Sequence, residues 1–290
     1  MTELTVDGVA VASYVVRPGV DLIQGPRPYL HPVRTLGGTA VTDFAPDDHI
    51  WHLGVSVAMQ DVGGANLWGG RTYVRDRGYT WLDDHGEIVH TGWLPTDNGV
   101  RNSMKWRDQG GSVPPTGGEV PAGQSLGNTM EWRDKDGAVL LTEKRRLSAK
   151  KAPHGWELAI DFTLSAARPV SLGSPATNGR PDGAGYGGFF WRAAPGETHT
   201  FTEDADSEEQ VNGSAAPWLA LTGPGPYTLV FRGLDGDDRW FVRTGIYPGV
   251  CAALAFDHPL LVTPEAPLSR RITVLVADGA LTREQVASGP

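Results

Sequence analysis

The chain has 290 residues, 40% of them hydrophobic and 20% charged, the composition of a folded globular protein rather than a disordered one. Its formal net charge of −9 argues against nucleic acid or an anionic membrane surface as the main partner, since both repel a net-negative surface. The lone cysteine, Cys251, leaves no internal disulfide and fits a reducing, cytoplasmic setting.

At the start, Glu3 and Asp7 stand where a secretory signal would carry basic residues, and no apolar run follows, so no targeting segment is expected. No stretch reaches the ~20 apolar residues of a membrane helix. The next feature is the densest in proton-moving groups. His31-Pro32-Val33-Arg34-Thr35 is followed by Asp47-Asp48-His49-Ile50-Trp51-His52-Leu53-Gly54, which places three of the eight histidines within 22 positions. The turn formers Gly37, Gly38 and Pro46 lie between them, so the block is expected at strand ends and loops, lining a pocket. His31, Arg34, His49 and His52 are the candidate catalytic residues. An i, i+3 pair such as His49 and His52 shares one side of a helical turn. A divalent metal held by that pair, with Asp48 or His31 completing the set, is therefore possible, although no cofactor is assigned.

Further along, Asn66, Trp68 and Arg71 flank two glycines, and Tyr186 on one side and Trp191 and Arg192 on the other flank a second glycine pair. With Trp51, Trp81, Trp93 and Tyr247 they form a set suited to sugars. Aromatic planes cover the C–H faces of a pyranose, and planar bidentate groups read its hydroxyls. Trp51, Asn66, Trp68, Arg71, Tyr186 and Arg192 are accordingly the expected substrate-binding residues. Small residues beside them suggest a ligand approaching the backbone. Residues 110–127 hold six glycines and three prolines and read as a rim or lid loop.

The rest of the chain reads as strands. Asp134-Lys135-Asp136-Gly137 marks a hairpin turn between residues 129–133 and 138–147. Trp156, Leu158, Ile160, Phe162 and Leu164 alternate with more polar residues at the period of two of a half-buried strand. Similar runs span 227–232, 239–247 and 271–276, with 234–238 expected to turn a second hairpin. Residues 203–209 read as a solvated acidic loop, and only 281–287 looks helical. Gly183-Ala184-Gly185-Tyr186-Gly187-Gly188 fits a dinucleotide-binding pattern, but no helix is expected after it. Without alternating strands and long helices, one all-β domain over residues 1–290 is expected, a large antiparallel β-sandwich with little helix.

Four strings carry a resemblance: residues 27–35, 48–54, 66–70 and 185–192. From about Tyr14 to Val276 the chain resembles a bacterial family of soluble proteins often labelled "methane oxygenase PmoA". That family is similar in turn to carbohydrate-processing β-sandwiches such as the aldose-1-epimerases. The resemblance implies a galactose-mutarotase-like supersandwich and a role in sugar breakdown. It places the family's histidine–arginine positions at His31, Arg34, His49 and His52, with Ile50-Trp51 standing where many relatives carry another histidine. Three functions follow in order of expectation. The first is an acid/base enzyme on a sugar or keto-sugar glycoside, an epimerase or β-eliminating lyase, with Arg34 stabilising an enolate. The second is a non-catalytic carbohydrate-binding or sensing domain. The third, resting on the label, is a metal-dependent oxygenase. In the first two the partner is a small-molecule carbohydrate.

Overall fold

Alternation builds this molecule. In the strand Gly155–Ser165, Trp156, Leu158, Ile160, Phe162 and Leu164 are buried, while Glu157, Asp161, Thr163 and Ser165 are half-buried on the opposite face. The computed structural model describes residues 2–95 and 125–289. Two large sheets, with every ladder antiparallel, account for most of it. The seven-stranded sheet runs, in spatial order, Thr2–Val6, Val9–Val15, Tyr29–Val33, Val55–Ala58, Gly188–Arg192, Gly249–Ala253 and Arg239–Arg243. The eight-stranded sheet runs His199–Phe201, Trp218–Gly223, Tyr227–Arg232, Leu268–Asp278, Gly155–Ser165, Val139–Ala152, Ser125–Arg133 and Glu87–Leu94.

Their inner faces share one hydrophobic cluster. Val55, Val57, Phe189 and Trp191 from the first sheet meet Ile160, Phe162, Leu229, Phe231 and Val274 from the second. The Trp191 and Phe231 rings touch edge to face at 5.7 Å across that seam. The fold is therefore an antiparallel β-sandwich, as the periodicity predicts. No helix among the described residues is long and apolar enough to cross a membrane.

Charge is also buried in the sandwich. Arg145 grips Glu143 through Nε at 2.6 Å and Nη2 at 3.0 Å, and Trp132 Nε1 donates to the same carboxylate at 2.8 Å. Arg145 also reaches the Pro28 carbonyl near the first sheet, at 3.4 Å. Beside it, Tyr14 is hydrogen-bonded to Asn128, which also contacts His90.

Several expectations change. The hairpin at 134–137 forms between Ser125–Arg133 and Val139–Ala152. The expected hairpin at 234–238 does not, because Tyr227–Arg232 and Arg239–Arg243 belong to different sheets. That turn carries the chain across the sandwich, and Asp238 is pulled inward by a bidentate contact from Arg270 at 2.6 and 3.0 Å. The 239–247 run ends its strand at Arg243. The acidic stretch contains one helical turn, Glu208–Val211, because the Ser207 hydroxyl caps it by accepting from Gln210 N–H. The C-terminal helix is Arg283–Ala287. Of the expected rim loop, residues 125–127 are strand, and 110–124 lie outside the described residues.

Candidate functional site

Strands Tyr29–Val33 and Val55–Ala58 are neighbours in the sheet, yet twenty-one residues separate them, and that long connection carries the histidines. The bridge Thr42↔Ala193 pins it beside the end of the Gly188–Arg192 strand, and Phe44↔Leu53 closes it on itself. At its tip the chain makes two consecutive turns, with His49 N–H donating to the Pro46 carbonyl and His52 N–H to the His49 carbonyl, each at 2.9 Å. Those turns lay the imidazoles of His49 and His52 face to face, 4.6 Å apart at 17°.

The rings differ in environment. His49 is at the surface with 24% of its side chain exposed, and its Nδ1 lies 2.8 Å from the Asp48 carboxylate. A carboxylate only accepts, so Nδ1 carries a proton, and in the neutral form of the ring Nε2 holds the lone pair. His52 is 1% exposed, walled by Tyr247, Phe190 and Trp68 at 4.7, 4.8 and 6.0 Å. Arg192 Nη1 donates to His52 Nδ1 at 3.4 Å, which places the His52 proton on Nε2. Burial first, then the charges of His49, Arg192 and Arg27, hold His52 well below the usual histidine range, so it is neutral.

Arg192, itself 4% exposed, sits over the Tyr247 ring at 5.0 Å, with Nη2 at 3.5 Å from Asp43 and 3.7 Å from Asp48. Its Nε has no partner. Burial opposes ionisation of Asp48, but the hydrogen bond from His49 and the charge of Arg192 outweigh it and keep Asp48 below the usual carboxylate range. Asp43, Asp48 and Arg192 thus sum to one negative charge, which a proton on His49 would neutralise.

The other two expected catalytic residues make no ring contact, hydrogen bond or ion pair with this pair. His31 bonds Thr42 Oγ1 through Nδ1 at 3.0 Å and stacks on Phe44 at 5.6 Å. Burial lowers its affinity for a proton, Asp43 raises it, and Arg34 lowers it again, for a net decrease. Arg34 is exposed and donates to the Gly38 carbonyl. The cation beside the stacked histidines is Arg192, not Arg34. Asp43 was not legible as a site residue, since only the Thr42↔Ala193 bridge brings it under Arg192.

A protein-family model described as "Family of unknown function (DUF6807)" matches residues 1–289. The chain belongs to this family. That description names no activity, neither an oxygenase nor an epimerase. No curated protein matches the chain.

In this DUF6807 member the expected sugar-binding residues divide. Trp51 and Tyr247 are half-buried beside the pair, and Tyr186, also half-buried, packs on Trp68 behind it. Arg71 is exposed and lies over Trp81 at 5.7 Å. Trp68 and Asn66 are buried at 2% and 0% exposure. Asn66 spends its whole amide on its own loop: Nδ2 donates to Gly70 O and Thr72 Oγ1, while Oδ1 accepts from Trp68 and Gly69 N–H. The two therefore form the wall behind the site, a correction to the ligand-facing role expected of them.

The glycines are reassigned too. A Cβ on Gly70, at φ +70, would lie 2.7 Å from the Trp51 ring, and one on Gly69 would lie 2.7 Å from Trp51 Cβ. What approaches this backbone is the protein's own Trp51, not a ligand. Gly187 and Gly188 face Met59, Ala252 and Leu254 in the same way. Gly70→Ala is expected to cost roughly 1–3 kcal/mol, from backbone strain plus overpacking. A lowered urea midpoint with an altered tryptophan spectrum checks this.

Among the described residues no three His, Cys, Asp or Glu side chains are gathered as a metal site. The stacked pair is also poorly disposed to chelate. Imidazole lone pairs lie in the ring plane, and planes only 17° apart at 4.6 Å do not converge on a point ~2.0–2.1 Å from both nitrogens.

Neutral His52 has a consequence for stability. The unfolded chain takes up a proton on this residue below about pH 6.5, the ordinary value for histidine, whereas the folded protein refuses it. Stability is therefore expected to fall as pH drops below about 6.5, with His31 and His90, also lowered, acting in the same direction. Urea unfolding from about pH 7 to pH 5 should show that decline, and His52→Gln should flatten it.

Proposed function

We propose that this protein is a carbohydrate-active enzyme that moves a proton at the carbon next to the carbonyl of a keto-sugar, as an epimerase or a β-eliminating lyase. One observation carries the reading: a surface Asp48–His49 dyad stacked on a buried, neutral His52 that Arg192 holds in one tautomer. The lone pair on His49 Nε2 takes the C–H proton. The C–H electron pair moves onto the carbonyl oxygen as an enolate, and Asp48 balances the imidazolium. In an epimerase a solvent proton adds to the other face of the enolate, and His49 returns the proton it took to solvent. In a lyase its electrons return to expel the β-oxygen, which leaves with the proton carried by His49. Buried and cationic, Arg192 lowers the cost of the enolate charge through the low-dielectric wall.

Trp51 and Tyr247 flank His49 at ring distances of 5.3 and 4.7 Å and offer half-buried aromatic surface for a sugar face. The resemblance of residues 27–35, 48–54, 66–70 and 185–192 to proteins similar to carbohydrate-processing β-sandwiches supports the same substrate class. Incubation with native and 3-keto glycosides, followed by NMR, tests the reading. Product from the keto form is expected; binding without turnover would make this a carbohydrate-binding module instead.

A further inference from the structure

Beyond the histidine pair, hydrogen-bond donors gather around two tyrosine hydroxyls, beside a buried Gln60 Oε1 that has no partner. Gln60, 1% exposed, donates through Nε2 to the Tyr186 hydroxyl at 3.0 Å and to the Arg71 carbonyl at 3.1 Å, and the second bond fixes which end of the amide faces the tyrosine. The Tyr186 hydroxyl lies 3.0 Å from the Tyr79 hydroxyl. Arg180 donates Nη1 to that same Tyr79 oxygen and packs over its ring at 4.8 Å. Both tyrosine oxygens therefore already accept a bond from outside the pair. Of their two hydroxyl protons only one is used between them, and the other has no acceptor. Burial raises both tyrosines above their usual range, so both remain protonated donors.

Next to this chain is a second cation. Gly179, at φ +99, leaves a notch that the Arg75 guanidinium fills, 2.7 Å from where a Cβ would stand. Arg75 and Arg180 are thus held on adjoining backbone. Among the described residues neither forms an ion pair, although Asp76 and Asp182 are near in sequence. Two guanidinium groups without a carboxylate partner and a spare hydroxyl, in a protein of net charge −9, leave donors in excess of acceptors.

We propose that Arg75, Arg180 and Tyr79 form a subsite for an oxyanion carried on the sugar, a carboxylate or a phosphate. The inference builds on the carbohydrate reading above for the sugar to which the anion is attached. Tyr186 connects the two regions, since its ring packs on Trp68 at 4.9 Å and Trp68 backs His52 at 6.0 Å. Charge-assisted, planar recognition of this kind favours arginine over lysine.

Calorimetry on the full chain with glucuronate, glucose 6-phosphate, glucose and inorganic phosphate tests the subsite. At least one acidic sugar is expected to bind about tenfold or more tighter than glucose, the return on a charge-assisted contact. Arg180→Gln and Arg75→Gln should each remove about that factor for the acidic sugar and leave glucose unchanged. Arg75 is exposed, so its variant folds and keeps the test decisive. The better of the two acidic sugars identifies the oxyanion. Equal binding of acidic and neutral sugars, tight binding of inorganic phosphate alone, or acidic-sugar binding that neither variant weakens overturns the subsite. The catalytic reading fails separately. A preference for acidic sugars that persists without any keto-sugar turnover upholds the subsite alone, and turnover of neutral keto-glycosides with no such preference upholds the histidine chemistry alone.

Discussion

Replacing His49 by alanine is expected to lower turnover of a keto-sugar roughly 10²–10⁴-fold, the usual contribution of a positioned acid/base group. KM should change little, because a proton acceptor acts in the transition state more than in ground-state binding. The fold should survive. His49 is partly exposed, and its backbone bonds within the turn do not depend on the imidazole. Asp48→Asn is expected to lose less, since it removes the counter-charge and the tautomer lock but leaves the base. Steady-state rates beside thermal melts check both variants. A His49→Ala protein with wild-type turnover would remove His49 from the chemistry.

Arg145→Met is expected to be the most destabilising single change, at about 3–5 kcal/mol, because it leaves the fully buried Glu143 carboxylate without its cation. Among the described residues Trp132 Nε1 then remains as the side-chain donor to that charge. Replacing both partners, Glu143→Leu with Arg145→Met, should recover much of the loss, since the uncompensated charge disappears and what is orphaned is neutral, the Trp132 N–H and the long bond to the Pro28 carbonyl. Urea denaturation of the single and double variants measures the coupling. A single variant within about 1 kcal/mol of wild type would show that water reaches this pair.

The fold was legible where side chains alternate cleanly. Residues 156–165 announce a strand because one face is apolar and the other is not, and Asp134–Gly137 announces its turn through composition alone. What composition does not encode is which sheet a strand joins. The runs at 227–232 and 239–243 look like the arms of a hairpin, yet they lie in opposite sheets, a choice made by the buried contact of Asp238 with Arg270. The site was half legible for the same reason. His49 and His52 are close in sequence, and local turns alone bring them together. Arg192, Asp43 and Tyr247 join them from distant segments, and nothing local distinguishes Arg192 from Arg34 as the cation. The glycines misled most. Gly69 and Gly70 signal close approach correctly, but sequence does not say whether the approaching group is a ligand or Trp51.

The central claim is that His49 removes a carbon-bound proton, and isotope exchange reads that step without requiring a product. With a 3-keto glycoside in D₂O, NMR should show deuterium entering the position next to the carbonyl with wild type, and exchange at the uncatalysed rate with His49→Ala. Wild-type exchange no faster than the protein-free control, or equal exchange by the two proteins, would contradict the account.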